Sequence, residues 1–101
     1  MFIITYTYRV PFGRKDEYLE VQKEAKTLYA KYGSTGYEVY EEIGTSGYFM
    51  EIIYFENQEH YQKVRQQVDA DPQINVLWEK FCDTAHIKET PPLVKKYNRI
   101  L

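Results

Sequence analysis

The stretch Tyr48-Phe49-Met50-Glu51-Ile52-Ile53-Tyr54-Phe55 has the β-branched and aromatic content of a strand, yet it offers no polar side to water. Side chains alternate along a strand, so Tyr48, Met50, Ile52 and Tyr54 point one way and Phe49, Ile53 and Phe55 the other. Such a strand must be covered on both faces. The helical segments in 101 residues suffice for one cover only. A second copy of the same sheet is the simplest source of the other, so this feature constrains both architecture and assembly.

A chain of this length forms one domain and buries roughly two-thirds of its unfolded surface without disulfides or metals. Its net charge of −2 at pH 7, with no dense Lys/Arg cluster, argues against nucleic acid and anionic membranes as partners. Cys82 is the single cysteine, so no intrachain disulfide forms, in keeping with a reducing compartment. Met1-Phe2-Ile3-Ile4-Thr5 has neither a basic lead nor a long apolar core, and no window approaches a spanning helix. A soluble cytoplasmic protein is the resulting expectation. The 11 tyrosines suit sheets, interfaces and mixed pockets alike, since each joins apolar area to a polar tip.

Phe2, Ile4, Tyr6, Tyr8 and Val10 alternate with Ile3, Thr5, Thr7 and Arg9 as in a first strand, which Pro11 and Gly13 end. Tyr18, Val21, Ala25, Leu28, Tyr29 and Tyr32 recur at spacings of three and four and predict a helix over Arg14 to Tyr32, with Gly33 as its stop. Tyr37–Ile43 and Tyr48–Phe55 form a hairpin across Gly44-Thr45-Ser46-Gly47. Asn57 caps a helix carrying Tyr61, Val64 and Val68, and Asp71-Pro72 restarts the pattern through Ile74, Leu77, Trp78, Phe81 and Ala85. A fourth strand is expected at about His86 to Thr90, with Pro91-Pro92 breaking the ladder.

This order is β-α-β-β-α-β, the ferredoxin-like α+β arrangement, with a four-stranded antiparallel sheet and its helices on one face. Residues 1–90 form the domain and 91–101 a C-terminal arm reaching across a homodimer, whose sheets pack face to face. Arg9, Glu41 and Glu51 are expected on the open face, making the partner surface mixed. A monomer with the arm folded back over its own sheet is the competing arrangement.

Tyr8-Arg9-Val10-Pro11-Phe12-Gly13 before the first helix, the Tyr37–Phe55 hairpin, and Ala70-Asp71-Pro72 opening the last helix occur in one order and spacing. In these features the chain resembles the dimeric α+β barrel superfamily, most of all NIPSNAP-type domains and uncharacterised bacterial relatives, and more distantly antibiotic-biosynthesis monooxygenases. The resemblance implies a homodimer with a pocket between helices and sheet. Haem-degrading members of the superfamily use an asparagine, a tryptophan and a histidine; Tyr6, Gln67 and Leu77 stand at the corresponding positions here, which argues against haem oxygenation. Trp78 and His86 are displaced from those positions and inherit neither role.

Four residues are candidates for ligand binding. Tyr6 and Tyr8 share a strand face, Trp78 lies in the second helical stripe, and Arg65 shares a side with Tyr61 and can pair with a carboxylate. For each, core packing or surface pairing is the plainer role. His86 titrates near neutrality and is the candidate catalytic acid or base, although a lone histidine is more often a boundary residue. Cys82, Asp83 and His86 have helix-face spacing for a metal, but no second cluster supports one, so neither a metal nor a cofactor is assigned. Cys82 reads as a small buried filler, and His60 as an exposed residue near a helix start. Glu38, Glu41, Glu42 and Glu51 on the hairpin include a potential cross-strand acid–base pair, or partners for cations of a dimer mate.

Three function classes follow. The first is a homodimeric binding module for a small, largely apolar or aromatic ligand. The second is a cofactor-independent monooxygenase or isomerase acting on a phenolic or polyketide-like molecule, with Tyr6, Tyr8, Trp78 and His86 as its candidates. The third is an interaction protein with no small-molecule site. The aromatic content and the lack of a catalytic set favour the first.

Overall fold

The structure, a computed structural model, describes residues 1–85, 87 and 90–101. Seven elements run in the order β1 (Phe2–Arg9), α1 (Lys15–Lys31), β2 (Gly36–Glu41), β3 (Tyr48–Phe55), α2 (Gln58–Ala70), α3 (Pro72–Ala85) and β4 (Leu93–Asn98). The strands make one antiparallel sheet in the order β2-β3-β1-β4, with β1 and β3 central. This is the ferredoxin-like α+β fold expected from the alternation of periods along the chain.

The pleat sorts the side chains. Phe2, Ile4 and Tyr8 of β1 and Phe49, Ile53 and Phe55 of β3 are all buried under the helices. Cross-strand partners share a face, so the register Tyr6↔Glu51 puts Glu51 on the helix side as well. Glu41 is opposite Phe49 and therefore takes that side too, where it meets Lys15 of α1 at 2.8 Å. The expectation that Glu41 and Glu51 lie on the open face is thus corrected: strict alternation within β3 places Glu51 between Phe49 and Ile53. Nor do two glutamates face each other across the hairpin, since Glu38 is opposite Ile52 and Glu51 opposite Val39.

Two clusters make up the core. One joins Phe2, Ile4, Ile53 and Phe55 to Val64 and Val68 of α2, Leu77 of α3 and Val21 and Leu28 of α1. The other holds Tyr8, Val10, Tyr18, Phe49, Cys82, Ala85 and Ile87. Tyr6, Val39 and Phe81 pack against both. Burying such side chains stabilises the fold by about 1.5–3 kcal/mol each.

The polar punctuation works as its chemistry requires. The Asn57 side chain accepts from the His60 backbone N–H at 2.7 Å, while His60 Nδ1 accepts from the Glu56 N–H at 3.0 Å. His60 is therefore half-buried and part of the α2 cap. At the α2–α3 corner, Asp71 accepts from the Gln73 N–H at 2.9 Å and from the Tyr32 hydroxyl at 2.7 Å, which ties the end of α1 to the corner. Gly47 has a φ of +90°, and its carbonyl accepts from the Val10 N–H at 2.7 Å. A Cβ there would lie 2.9 Å from the Val10 carbonyl oxygen, so both conformation and space require glycine.

The last strand differs from expectation. Of the stretch expected to form it, Ile87 and Thr90 are in a turn and a bend, and His86, Lys88 and Glu89 lie outside the described residues. The fourth strand is Leu93–Asn98, paired with β1 from Thr7↔Leu93 to Phe2↔Asn98. Pro91-Pro92 thus precedes the ladder. Neither proline can donate to it, so pairing begins at the next residue with an N–H. Residues 93–98 of the expected arm form an edge of the sheet, and Arg99 N–H donates to the Met1 carbonyl at 2.8 Å.

Candidate functional site

A cavity of about 350 Å³ lies between the sheet and helices α1 and α3. Its floor is Tyr6 of β1, Tyr37 of β2 and Glu51 of β3. Val21, Gln22, Ala25 and Tyr29 of α1 form one wall, Ile74, Leu77, Trp78 and Phe81 of α3 the other, and Pro92 and Val94 close the β4 side. A second lobe of about 560 Å³ opens toward α2. It shares Tyr6, Tyr29, Ile74, Trp78 and Val94 with the first and adds Tyr61, Arg65, Asp69 and Lys96 among others.

The two lobes differ in chemistry. The outer lobe carries both signs of charge: Arg65 donates to the Tyr61 hydroxyl at 3.2 Å and meets Asp69 at 3.6 Å, and Lys96 Nζ sits 5.4 Å from the centre of the Tyr61 ring. The inner lobe holds one ionisable acid, Glu51, among rings and aliphatic side chains. Tyr8 donates to Glu51 Oε1 at 2.9 Å. The Tyr8 hydroxyl also hydrogen-bonds the Tyr18 hydroxyl; its own proton goes to the carboxylate, the stronger acceptor, so Tyr18 donates to Tyr8. Tyr37 donates to Gln22 Oε1 at 2.5 Å, which leaves the Gln22 amide N–H groups as donors facing the same region.

Burial disfavours the charged carboxylate and pushes Glu51 up to about 7, although hydrogen bonding from Tyr8 and from the Gln22 amide pulls the other way. Burial also raises Tyr6, Tyr8, Tyr18, Tyr29 and Tyr37 well above the ordinary phenol, so all five remain neutral donors. Among the described residues, no salt bridge includes Glu51.

Of the residues picked from the sequence, Tyr6, Arg65 and Trp78 line this one cleft. Trp78 is 54% exposed at its mouth, its ring centre 5.9 Å from that of Phe81 and tilted against it, so it is a rim residue rather than part of the core. Tyr8 is buried behind Glu51 and reaches the cleft only through it. His86, the candidate acid or base, lies outside the described residues. Asp83 of the considered metal set is exposed and paired with Arg14 at 2.9 Å, and Cys82 packs in the second core cluster.

Of the two polar residues of the inner lobe, Glu51 was a candidate only as part of a cross-strand glutamate pair, and Gln22 was not a candidate at all. Gln22 is 6% exposed and occupies the helical stripe four residues after Tyr18 and three before Ala25. Glu51 interrupts the inward alternation of Phe49, Ile53 and Phe55. A polar residue at a position whose period demands an apolar one is the signal that finds both.

No protein-family model matches the sequence, nor does any curated protein. Solved structures do match over nearly the whole chain. An uncharacterized NIPSNAP domain protein from Burkholderia xenovorans aligns with a TM-score of 0.76 at 16% identity, covering 99% of this chain and 95% of that one. A protein from Agrobacterium tumefaciens aligns with a TM-score of 0.76 at 22% identity, covering 99% and 94%. The cofactor-independent oxygenase SnoaB from Streptomyces nogalater aligns with a TM-score of 0.77 at 10% identity, covering 99% and 93%. The chain shares their fold. These neighbours are of the kinds that the sequence resemblance named, and at such identities the likeness speaks for the fold alone.

Proposed function

We propose that this chain is a binding module for a small, largely apolar ligand with a flat ring, taken up between α1, α3 and the sheet. The observation that carries the reading is the inner cavity of about 350 Å³, walled by Tyr6, Tyr29, Tyr37, Trp78 and Phe81 and holding few polar groups. That size and lining fall in the range of small-molecule sites. An exposed tryptophan beside an apolar cavity is available to stack on an incoming ring.

Calorimetric titration with naphthylethanol tests it. Saturable binding is expected, and it should be lost in Ala25→Phe, which fills the space from the α1 wall. Equal heats for wild type and Ala25→Phe would place the binding elsewhere and refute the reading. Oxygenation or isomerisation of a phenolic or polyketide-like molecule is the alternative suggested by neighbours such as SnoaB, and no observation at the site favours it over binding.

The reading includes a second copy of the chain on the open sheet face. Tyr40, Tyr48, Met50, Leu93 and Tyr97 stand exposed there beside Ile3 and Ile52. Glu38 on edge strand β2 and Lys95 on the opposite edge strand β4 give that face opposite charges at its two sides, as a two-fold self-complementary contact requires.

A further inference from the structure

We propose that the ligand of the inner cavity is a cationic arylalkylamine, its ring seated among Tyr6, Tyr29, Phe81 and Trp78 and its ammonium group meeting the Glu51 carboxylate. This identification rests on the binding reading above and gives it a chemical class.

A carboxylate removed from water is costly unless a cation or several hydrogen bonds compensate it. Glu51 has Tyr8 at 2.9 Å, with Tyr37 and Gln22 nearby, and among the described residues it is in none of the salt bridges. The cations of the cleft belong to its outer lobe, where Arg65 is occupied by Asp69 and Tyr61 and Lys96 lies over the Tyr61 ring. Among the described residues no cation reaches the inner lobe, and a ligand's ammonium group would supply one.

The walls favour the same class. Aromatic faces attract ammonium groups, and more strongly once the pair is out of water. The tyrosines facing Glu51 are Tyr6 and Tyr8 from β1, Tyr37 from β2, and Tyr18 and Tyr29 from α1; all stay neutral, so none competes as a counter-charge. The residues that α3 and β4 contribute to the inner lobe, Ile74, Leu77, Trp78, Phe81 and Val94, do not ionise. A neutral aromatic ligand would use the walls and leave the carboxylate as it is. An amine uses both.

The experiment compares naphthylethylamine with naphthylethanol, which differ in charge and hardly in shape, by calorimetry on the intact chain. At pH 8 the amine should bind the wild type more tightly than the alcohol by a factor on the order of tens, the scale of a desolvated charge pair. Glu51→Gln should erase that preference while still binding the alcohol. Amine affinity in the wild type should rise from pH 5 to 8 as Glu51 ionises, with a midpoint near its value of about 7, and with proton release below it. The wild-type pH profile needs no variant, so the proposal stays testable even if Glu51→Gln were misfolded. Equal affinity for amine and alcohol in the wild type, or an amine preference surviving in folded Glu51→Gln, overturns the amine assignment and leaves the cavity reading intact. Binding of neither compound overturns both.

Discussion

Replacing Glu51 by glutamine should make the protein more stable, and the gain should depend on pH in a defined direction. Glutamine keeps the shape and the carbonyl oxygen that accepts from Tyr8, and it removes the charge. The ordinary value of the glutamate is 4.5, and in the folded state it is pushed up to about 7. The native state thus holds this proton more tightly than the unfolded chain does. Wild-type stability is highest below pH 4.5 on this account, falls as pH rises toward about 7, and is level above it. At about 1.4 kcal/mol per pH unit, the interval from 4.5 to about 7 amounts to about 3 kcal/mol. The variant lacks this term. Its advantage should be near zero at pH 4 and about 3 kcal/mol at pH 8, which for a domain of this size raises Tm by roughly 10 °C or more. Thermal unfolding of both proteins from pH 4 to 8, followed by circular dichroism, measures it. A difference in Tm that stays constant across that range would show that the folded state does not desolvate Glu51, and the account of the inner lobe would fail with it. A residue that costs stability at neutral pH while facing a cavity fits a site kept for binding rather than for folding.

Gly47→Ala should cost about 2 kcal/mol in chemical denaturation, because the alanine must hold a left-handed conformation and its Cβ meets the Val10 carbonyl oxygen at 2.9 Å; an unchanged midpoint would mean that the β1 end and the hairpin turn are not clamped together as described. Sedimentation equilibrium should give the wild type a mass of twice 12.1 kDa, and Met50→Glu, which places a charge at the middle of the open sheet face, should shift it to 12.1 kDa. A monomeric wild type would refute the self-paired sheet.

How far the sequence could be read depended on how strongly each element was marked locally. The two central strands were legible because Phe2 to Val10 and Tyr48 to Phe55 carry unbroken alternating patterns. Helix α1 was legible to within a residue at each end, Arg14 and Tyr32 being its caps. The Asp71-Pro72 break was legible because a proline at the first helical position loses no hydrogen bond. Strand β4 was not, because it is an edge strand in which all six residues are exposed, so no buried face marks its period. The proline pair, read as the end of a ladder, stands at its start.

For the site, residue types pointed to Tyr6, Arg65 and Trp78 and overlooked Glu51 as an individual. Its identity as the inward-facing charge follows from the β3 alternation, but its importance does not. A strand pattern says which side of the sheet a carboxylate takes, because sterics alone set the period of two. Whether that carboxylate meets solvent, a lysine or a ring depends on which helix residues arrive above it from positions 18 to 29 and 74 to 81. Pairing with β1 and β2 set Tyr8 and Tyr37 beside Glu51, the packing of α1 over the sheet brought Gln22 to it, and the described cations of the cleft stayed in the outer lobe. Local sterics and hydrophobic periodicity are written in neighbouring residues, and so the sequence by itself determined the elements and the faces they bury. Burial of a charge is a property of everything that excludes water from it, and that was decided by the tertiary structure.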